Sequence, residues 1–205
     1  KHVTGESVYV NDMQASSQML EGHVVYSRQA HARIISIDIA QALKIEGVEA
    51  IVLAKDIPGQ NQMGPVVHDE ICLAETEVTF VGQAIALIPA KTKEAARKAE
   101  KHIRIDFEPL EAILDLETSI KKGNRLAPPR KIACGNLDKG FLESDEILVG
   151  KLKTGGQEHW YLETQSSLAV PGEDKEIKVY SSTQHPSETQ AIVAEVLGIQ
   201  KNEVE

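Results

Sequence analysis

Residues 155–165, GGQEHWYLETQ, hold more chemistry-bearing side chains than any other short stretch of the sequence. Gln157, Glu158, His159, Tyr161 and Glu163 follow the pair Gly155-Gly156, and Trp160 is the chain's single tryptophan. Metal ligation would need His159, Glu158 and Glu163 to converge. On a strand His159, Tyr161 and Glu163 share one face and Glu158 points away, and the helical HExxH pattern is absent. A His held by backbone or carboxylate hydrogen bonds is the better reading. Glycines permit close backbone approach to another surface, and the amide of Gln157 offers two donors and an acceptor. That combination suits an oxygen-bearing cofactor; it suits an ordinary strand cap equally, and composition alone favours the cap.

Two further groups are candidates. His68-Asp69-Glu70 with Cys72 has the residue types of a Cys–His nucleophile pair, but the segment is polar and loop-like and no oxyanion-hole signal accompanies it. Ser181-Ser182-Thr183-Gln184 leads through His185-Pro186 into a helix pattern, and helix N-termini attract anions. No Gly-rich phosphate loop is present, so a nucleotide-phosphate reading is weak.

The elements that must position these groups alternate between strand and helix periods. Val8 and Val10 alternate around Tyr9, 23–27 is a short β-branched run, and 33–39 puts Ile35, Ile37 and Ile39 on one face. A short helix is expected over 39–45, ended near Gly47, and strands over 48–54 and over 79–88 around Gly82. Residues 60–76 read as irregular. A helix is expected over 92–102 with Ala95, Ala96 and Ala99 packed, followed by a strand alternating Ile103, Ile105 and Phe107 and ended by Pro109. Short helices over 114–120 and 137–141 flank a Pro128-Pro129 crossing segment, and 146–153 reads as a strand. A hairpin over 167–181 turns at Pro171-Gly172. The helix over 187–197 carries a Ser187/Gln190 capping box and a Gly198 stop, and another strand begins near Val204. The fold class is α+β, divided as 1–110, a crossing segment 111–136, and 137–205.

Composition sets outer bounds. The chain has 205 residues, 41% of them hydrophobic, and a net charge of −9. That balance argues against nucleic acid as a partner, which needs a basic stripe. The locally basic stretch 91–101 is interrupted by Glu94 and Glu100 and reads as a solvated helix face. No apolar run is long enough to span a membrane. Cys72 and Cys134 have no CxxC spacing, so a reducing, cytoplasmic setting is expected and a zinc or iron–sulfur site is not. The opening Lys1-His2-Val3 and the ending within a strand signal are expected of an internal piece of a longer chain.

Taken together and in order, the motifs resemble the molybdenum-binding large subunit of the xanthine dehydrogenase and aldehyde oxidase family. HVTGESVYVND at 2–12 is similar to the opening of that family's bacterial large subunit after its N-terminal arm, and SRQAHARIISID at 27–38, GVEAIVLAKDIPG at 47–59 and VTFVGQAIALIPAKTKEAARKA at 78–99 are similar to its α/β hammerhead domain. GNLDKGFLESDEILVGKLKTGGQEHWYLET at 135–164 and VYSSTQHPSETQAIVAEVLGIQKNEV at 179–204 are similar to the first part of its molybdenum cofactor-binding α+β domain. The 135–164 block is the most specific of these.

The resemblance implies hydroxylation of purines or aldehydes with water as the oxygen source, in the leading case hypoxanthine and xanthine to urate in purine catabolism. The alternatives within the family are aldehyde, carbon monoxide or N-heterocycle oxidation, and outside it a non-catalytic docking module. It implies a molybdenum–molybdopterin cofactor, with 2Fe-2S clusters and FAD on partner domains or subunits. By motif position, Gln157 is the residue whose amide bonds an oxygen ligand of molybdenum, and Gly156 lets it approach. Glu158, His159, Tyr161 and Glu163 are implied supports, and no direct metal ligand is expected. Trp160 stands where the family has Phe, and Gln165 where His is common. The Gly-rich cofactor loop, the substrate-binding residues and the general base are expected beyond Glu205, so no catalytic residue is expected within the chain and the piece alone is expected to be inactive. Its partners would be the remainder of the molybdenum domain and the iron–sulfur/FAD module. Uncovered sheet edges and apolar faces are expected to drive self-association.

Overall fold

The computed structural model describes residues 1–13 and 16–205. It divides into two compact units, one made of Lys1–Ala112 with Leu162–Glu205 and one of Ile113–Tyr161.

The first unit is built on two antiparallel three-stranded sheets and a hairpin. Its strands in chain order are β1 (Glu21–Tyr26), β2 (Ala32–Asp38), β3 (Val52–Leu53), β4 (Glu77–Val78), β5 (Ala84–Ala90) and β6 (Arg104–Pro109), with helix α1 (Lys93–Glu100) between β5 and β6. One sheet has the order β1-β5-β3 and the other β4-β2-β6. The central strand β5, AIALIPA, explains the packing. Ala86, Ile88 and Ala90 lie with Val25, Ile51 and Leu53 and with Ala96 and Ala99 of α1 in one core. Ile85, on the opposite face, lies with Ala32, Ala74 and Val78 in the other. Alanines on both strand and helix let α1 sit close to the sheet. Thr92 caps α1, its hydroxyl accepting from Ala95 N at 3.1 Å. Ile85, Ile88 and Val78 are fully buried, each contributing about 1.5–3 kcal/mol of transfer free energy.

Several local expectations are corrected. Strand β2 carries an irregularity between Ile34 and Ser36 in its register with β6. The extra residue, Ile35, is turned outward, 60% exposed, and Ile34 and Ile37 pack against the core instead. The 39–45 segment is a single 3-10 turn, Ala42–Lys44, and Val8–Val10 runs into another, Val10–Asp12. The expected strand over 48–54 is confined to β3 and an isolated bridge from Val48 to Ala90. The one over 79–88 starts only at Ala84, because Gly82, at φ 94°, turns the chain before it.

Later in the same unit, numbering on in chain order past α2 (Leu116–Lys122) and α3 (Leu137–Leu142) of the second unit, come β7 (Ser167–Pro171), β8 (Ile177–Ser181) and α4 (Pro186–Leu197). The hairpin β7–β8 is in register from Ser167 opposite Ser181 to Pro171 opposite Ile177. After α4, Val204 bridges in parallel to Ile177, so the strand signal near the end of the sequence is real. The capping box is corrected: Pro186 occupies the first turn and His185 is the cap residue, without a side-chain cap bond. Proline's fixed φ suits the first helical position, which moves Ser187 inside the helix, and Gln190 donates its side-chain amide to Val204 O instead. Gly198 ends the helix in the left-handed conformation, φ 66°.

The joint between 1–112 and α4 is a backbone one. Gly59 N and Gln60 N donate to the carbonyls of Val196 (2.9 Å) and Glu195 (3.0 Å), satisfying acceptors that the end of a helix leaves without partners.

The second unit is sparse. Asp115 caps α2 by accepting from Thr118 N, and Asn136 caps α3 by accepting from Lys139 N. Lys151 reaches Glu117 at 2.7 Å. The strand expected over 146–153 is absent: no ladder forms there, and Leu148, Val149 and Leu152 are almost fully exposed. The apolar β pattern is present, but a strand exists only against a partner, and among the described residues none pairs with it. Among the described residues no helix is long and apolar enough to cross a membrane.

Candidate functional site

Gly155, Gly156 and Gln157 lie in exposed, irregular chain. A Cβ added at either glycine would meet nothing within 4 Å, so no group of this chain makes the close approach that the glycines permit. Among the described residues the Gln157 amide has no hydrogen-bond partner, which leaves its donors and its acceptor open. The next three residues form a small turn of their own. A carboxylate oxygen of Glu158 accepts from His159 N at 3.0 Å and Trp160 N at 3.4 Å. Trp160 sits at φ 53°, the left-handed region that is uncommon for a bulky residue, with its indole exposed. The His159 and Tyr161 rings stack at 5.5 Å and 7°. The shared strand face expected for His159, Tyr161 and Glu163 is corrected, since the segment is not a strand. Glu163 serves the first unit, accepting from Val10 N at 3.1 Å, and Ser166 Oγ bonds Asn11 Oδ1 nearby at 3.2 Å. Among the described residues no three His, Cys, Asp or Glu side chains are placed to hold a metal ion.

The Cys72–His68 pair is not assembled. His68 Nδ1 lies 3.9 Å from Glu195 Oε1. Burial, foremost, and the charge of Glu195 push the Cys72 thiol up, against a backbone hydrogen bond from Gln62 that favours the thiolate. A thiol held in its protonated form is a poor nucleophile. In alkylation at neutral pH followed by mass spectrometry, exposed Cys134 should therefore react well before half-buried Cys72; equal rates would contradict this assignment.

The Ser181–Thr183 turn is used internally. Ser182 Oγ accepts from Ser166 N at 2.8 Å and lies 3.0 Å from Thr164 O, to which it donates. Thr183 Oγ1 accepts from His185 N at 3.1 Å and from Thr189 Oγ1 at 3.2 Å. Glu188 adds a negative charge to the first turn of α4. The adjoining cleft, lined by Val179, Thr183, Thr189 and Val193 among others, is about 130 Å³. These features give an anion little room and a repulsive neighbour.

Sequence reading missed two constellations. Gly59 lies where α4 docks, and His31 bridges Glu77 and the Glu111 carbonyl. Both join residues 46 to 137 positions apart, so no local pattern marks them; the Pro58-Gly59 pair signalled only a turn.

Comparison with known proteins bears on these residues. Residues 4–111 match the aldehyde oxidase and xanthine dehydrogenase a/b hammerhead domain, and residues 119–205 match a molybdopterin cofactor-binding domain. The chain is 46% identical over 204 residues to a xanthine dehydrogenase of Dictyostelium discoideum, covering 100% of this chain and 15% of that protein. It is 43% identical over 206 residues to aldehyde oxidase 1 of Oryctolagus cuniculus, again 100% of this chain and 15% of that protein. Among solved structures, quinoline 2-oxidoreductase from Pseudomonas putida 86 superposes with a TM-score of 0.84 at 26% identity, covering 99% of this chain and 28% of that one. The chain thus spans about 15% of the length of the curated relatives it matches. With a hammerhead match over residues 4–111, more than half its length, the chain belongs to the aldehyde oxidase and xanthine dehydrogenase family.

Proposed function

We propose that this chain is the part of a molybdenum hydroxylase that carries its hammerhead domain, 1–110, a crossing segment, 111–136, and the start of its cofactor-binding domain, 137–205. In this reading the whole enzyme oxidises hypoxanthine and xanthine to urate. The observation that carries it is the 46% identity, over the length of the chain, to a protein named xanthine dehydrogenase.

The residues present fit the cofactor. Gln157 offers a neutral amide with no partner among the described residues, and a Cβ added at either glycine before it would meet nothing within 4 Å. When bound, the molybdenum–molybdopterin group supplies the redox chemistry that adds oxygen from water to a carbon. The task of Gln157 is to hold that group by hydrogen bonds and fix its orientation, and that of Gly156 is to leave room for it. Glu158, which accepts two backbone N–H groups, and the stacked His159–Tyr161 pair support the turn that follows. The substrate-binding groups and the general base lie elsewhere in the enzyme, as do its 2Fe-2S clusters and FAD. The exposed apolar residues of 113–161, Leu148, Val149 and Leu152 foremost, pack against other parts of the enzyme, and in the isolated chain they drive self-association. Two free cysteines support a cytoplasmic, reducing setting.

The protein that carries this chain, purified and assayed for molybdenum by mass spectrometry and for urate formation from xanthine, should contain the metal and turn over. A metal-free, inactive protein would overturn the proposal. The 43% identity to an aldehyde oxidase favours a second reading, with aldehydes as substrate. Turnover of aldehydes without turnover of xanthine would select it.

A further inference from the structure

His31 sits immediately before β2, where the chain of the first unit leaves its second sheet after β6. Its Nδ1 lies 2.6 Å from the backbone carbonyl of Glu111, and its Nε2 lies 2.9 Å from Glu77 Oε1 on β4. Its own backbone carbonyl accepts from Leu110 N at 3.0 Å. A neutral imidazole has one N–H and one bare nitrogen. Facing a carbonyl on one side and a carboxylate on the other, both pure acceptors, it satisfies one contact and opposes lone pairs at the other. Only the doubly protonated ring donates to both. The charged groups on the neighbouring elements are Glu77 on β4, Arg33 on β2, Glu108 on β6 and Glu111 just after it. Arg33 lies in register with both Glu77 and Glu108 and is ion-paired to Glu108. With that cation so engaged, Glu77 is the carboxylate in contact with the ring.

We propose that His31 is a proton-operated clasp that fastens residues 110–111 to the β2–β4 ladder through both ring nitrogens when its ring is charged and loosens them, keeping one contact, when it is neutral. The ring joins three pieces of backbone that are otherwise linked at this corner by the Leu110–His31 bond, the short β2–β4 ladder and the end of the longer β2–β6 ladder. Hydrogen bonds that the ring donates to the Glu111 carbonyl, foremost, and to Glu77 raise the imidazole above its ordinary value of 6.5, against a smaller desolvation effect. The group is more basic folded than unfolded. Its contribution is therefore fully present below the unfolded value and is lost as pH rises through the folded one.

The test is a pH titration of the 205-residue chain by NMR, following the His31 ring nitrogens and the exchange protection of the Leu110 amide corrected for intrinsic rates. The expected result is a ring that titrates above 6.5, and Leu110 protection that falls with the same midpoint. Glu77→Gln should move both midpoints down together, and His31→Gln should abolish the pH dependence of Leu110 protection while the two cores stay folded. A His31 ring that is neutral and of one tautomer throughout the range, or Leu110 protection that ignores the ring's titration, overturns the clasp.

Discussion

Gly59→Ala is expected to destabilise the first unit strongly. A Cβ at Gly59 would lie 2.0 Å from Glu195 O, 2.6 Å from Gly198 N and 2.8 Å from Val196 O. These are backbone atoms of the end of α4, which cannot rotate away as a side-chain tip can. Relief requires the loop and the helix to separate, and separation breaks the two bonds from Gly59 N and Gln60 N to the helix carbonyls. Overpacking costs about 1–3 kcal/mol, and each lost backbone bond about 1 kcal/mol net. A loss of about 3 kcal/mol or more follows, or roughly 6–12 °C in melting temperature for a chain of this size. A Cβ added at Gly198 would lie 3.4 Å from Gly59 Cα, and Gly198 also holds a left-handed φ of 66°, so the helix end cannot be rebuilt to make room. Urea or thermal unfolding of Gly59→Ala beside Gly155→Ala checks this. Gly155 has nothing within 4 Å of a new Cβ, and its variant should stay within about 0.5 kcal/mol of the parent chain. Equal stability of the two variants would remove the joint between Gly59 and α4 from the account.

The sequence made some of this visible and not the rest, for physical reasons that differ by element. Helix α1 was legible because its alanines at 95, 96 and 99 repeat at helical spacing and Thr92 caps it. Helix α4 was legible in its body and in its Gly198 stop, but its cap was misplaced, because Pro186 sets the first turn and frees Gln190 to bind Val204. The isoleucines of β2 were read as one face, which assumes an unbroken period of two; the bulge at Ile35 shifts that phase and is encoded in the pairing with β6, not in β2. The apolar pattern of 146–153 was read as a strand and none forms there, because strand formation is a property of two segments and among the described residues no second one pairs with it. The candidate site divides along the same line. Its residue types were legible, down to the glycines and the neutral amide. The left-handed Trp160 and the attachment of Glu163 to Val10 N depend on three-dimensional neighbours that no spacing rule contains.

Gln157→Ala, made in the enzyme that carries this chain, is expected to slow turnover about 10–100-fold, the usual cost of removing a group that orients a bound metal centre, while the KM for substrate changes little. The asymmetry follows from where the amide acts. A side chain that binds substrate in its ground state raises KM when removed. One that holds the reacting centre in the orientation the transition state needs lowers kcat instead. Gln157 is exposed and uncharged, has no partner among the described residues and follows two glycines with open space around them, so its removal should not disturb the fold. The variant should accordingly melt with the parent. Molybdenum content by mass spectrometry separates weaker cofactor retention from misorientation of a cofactor still bound. Gln157→Glu sharpens the test, because a carboxylate is nearly the same shape but only accepts hydrogen bonds when ionised; a donor role for the amide predicts a loss at least as large as that of the alanine variant. His159→Ala, which removes only a ring stacked on Tyr161, should cost less than either. Unchanged kcat in Gln157→Ala, with full metal content, would place the amide outside the active site.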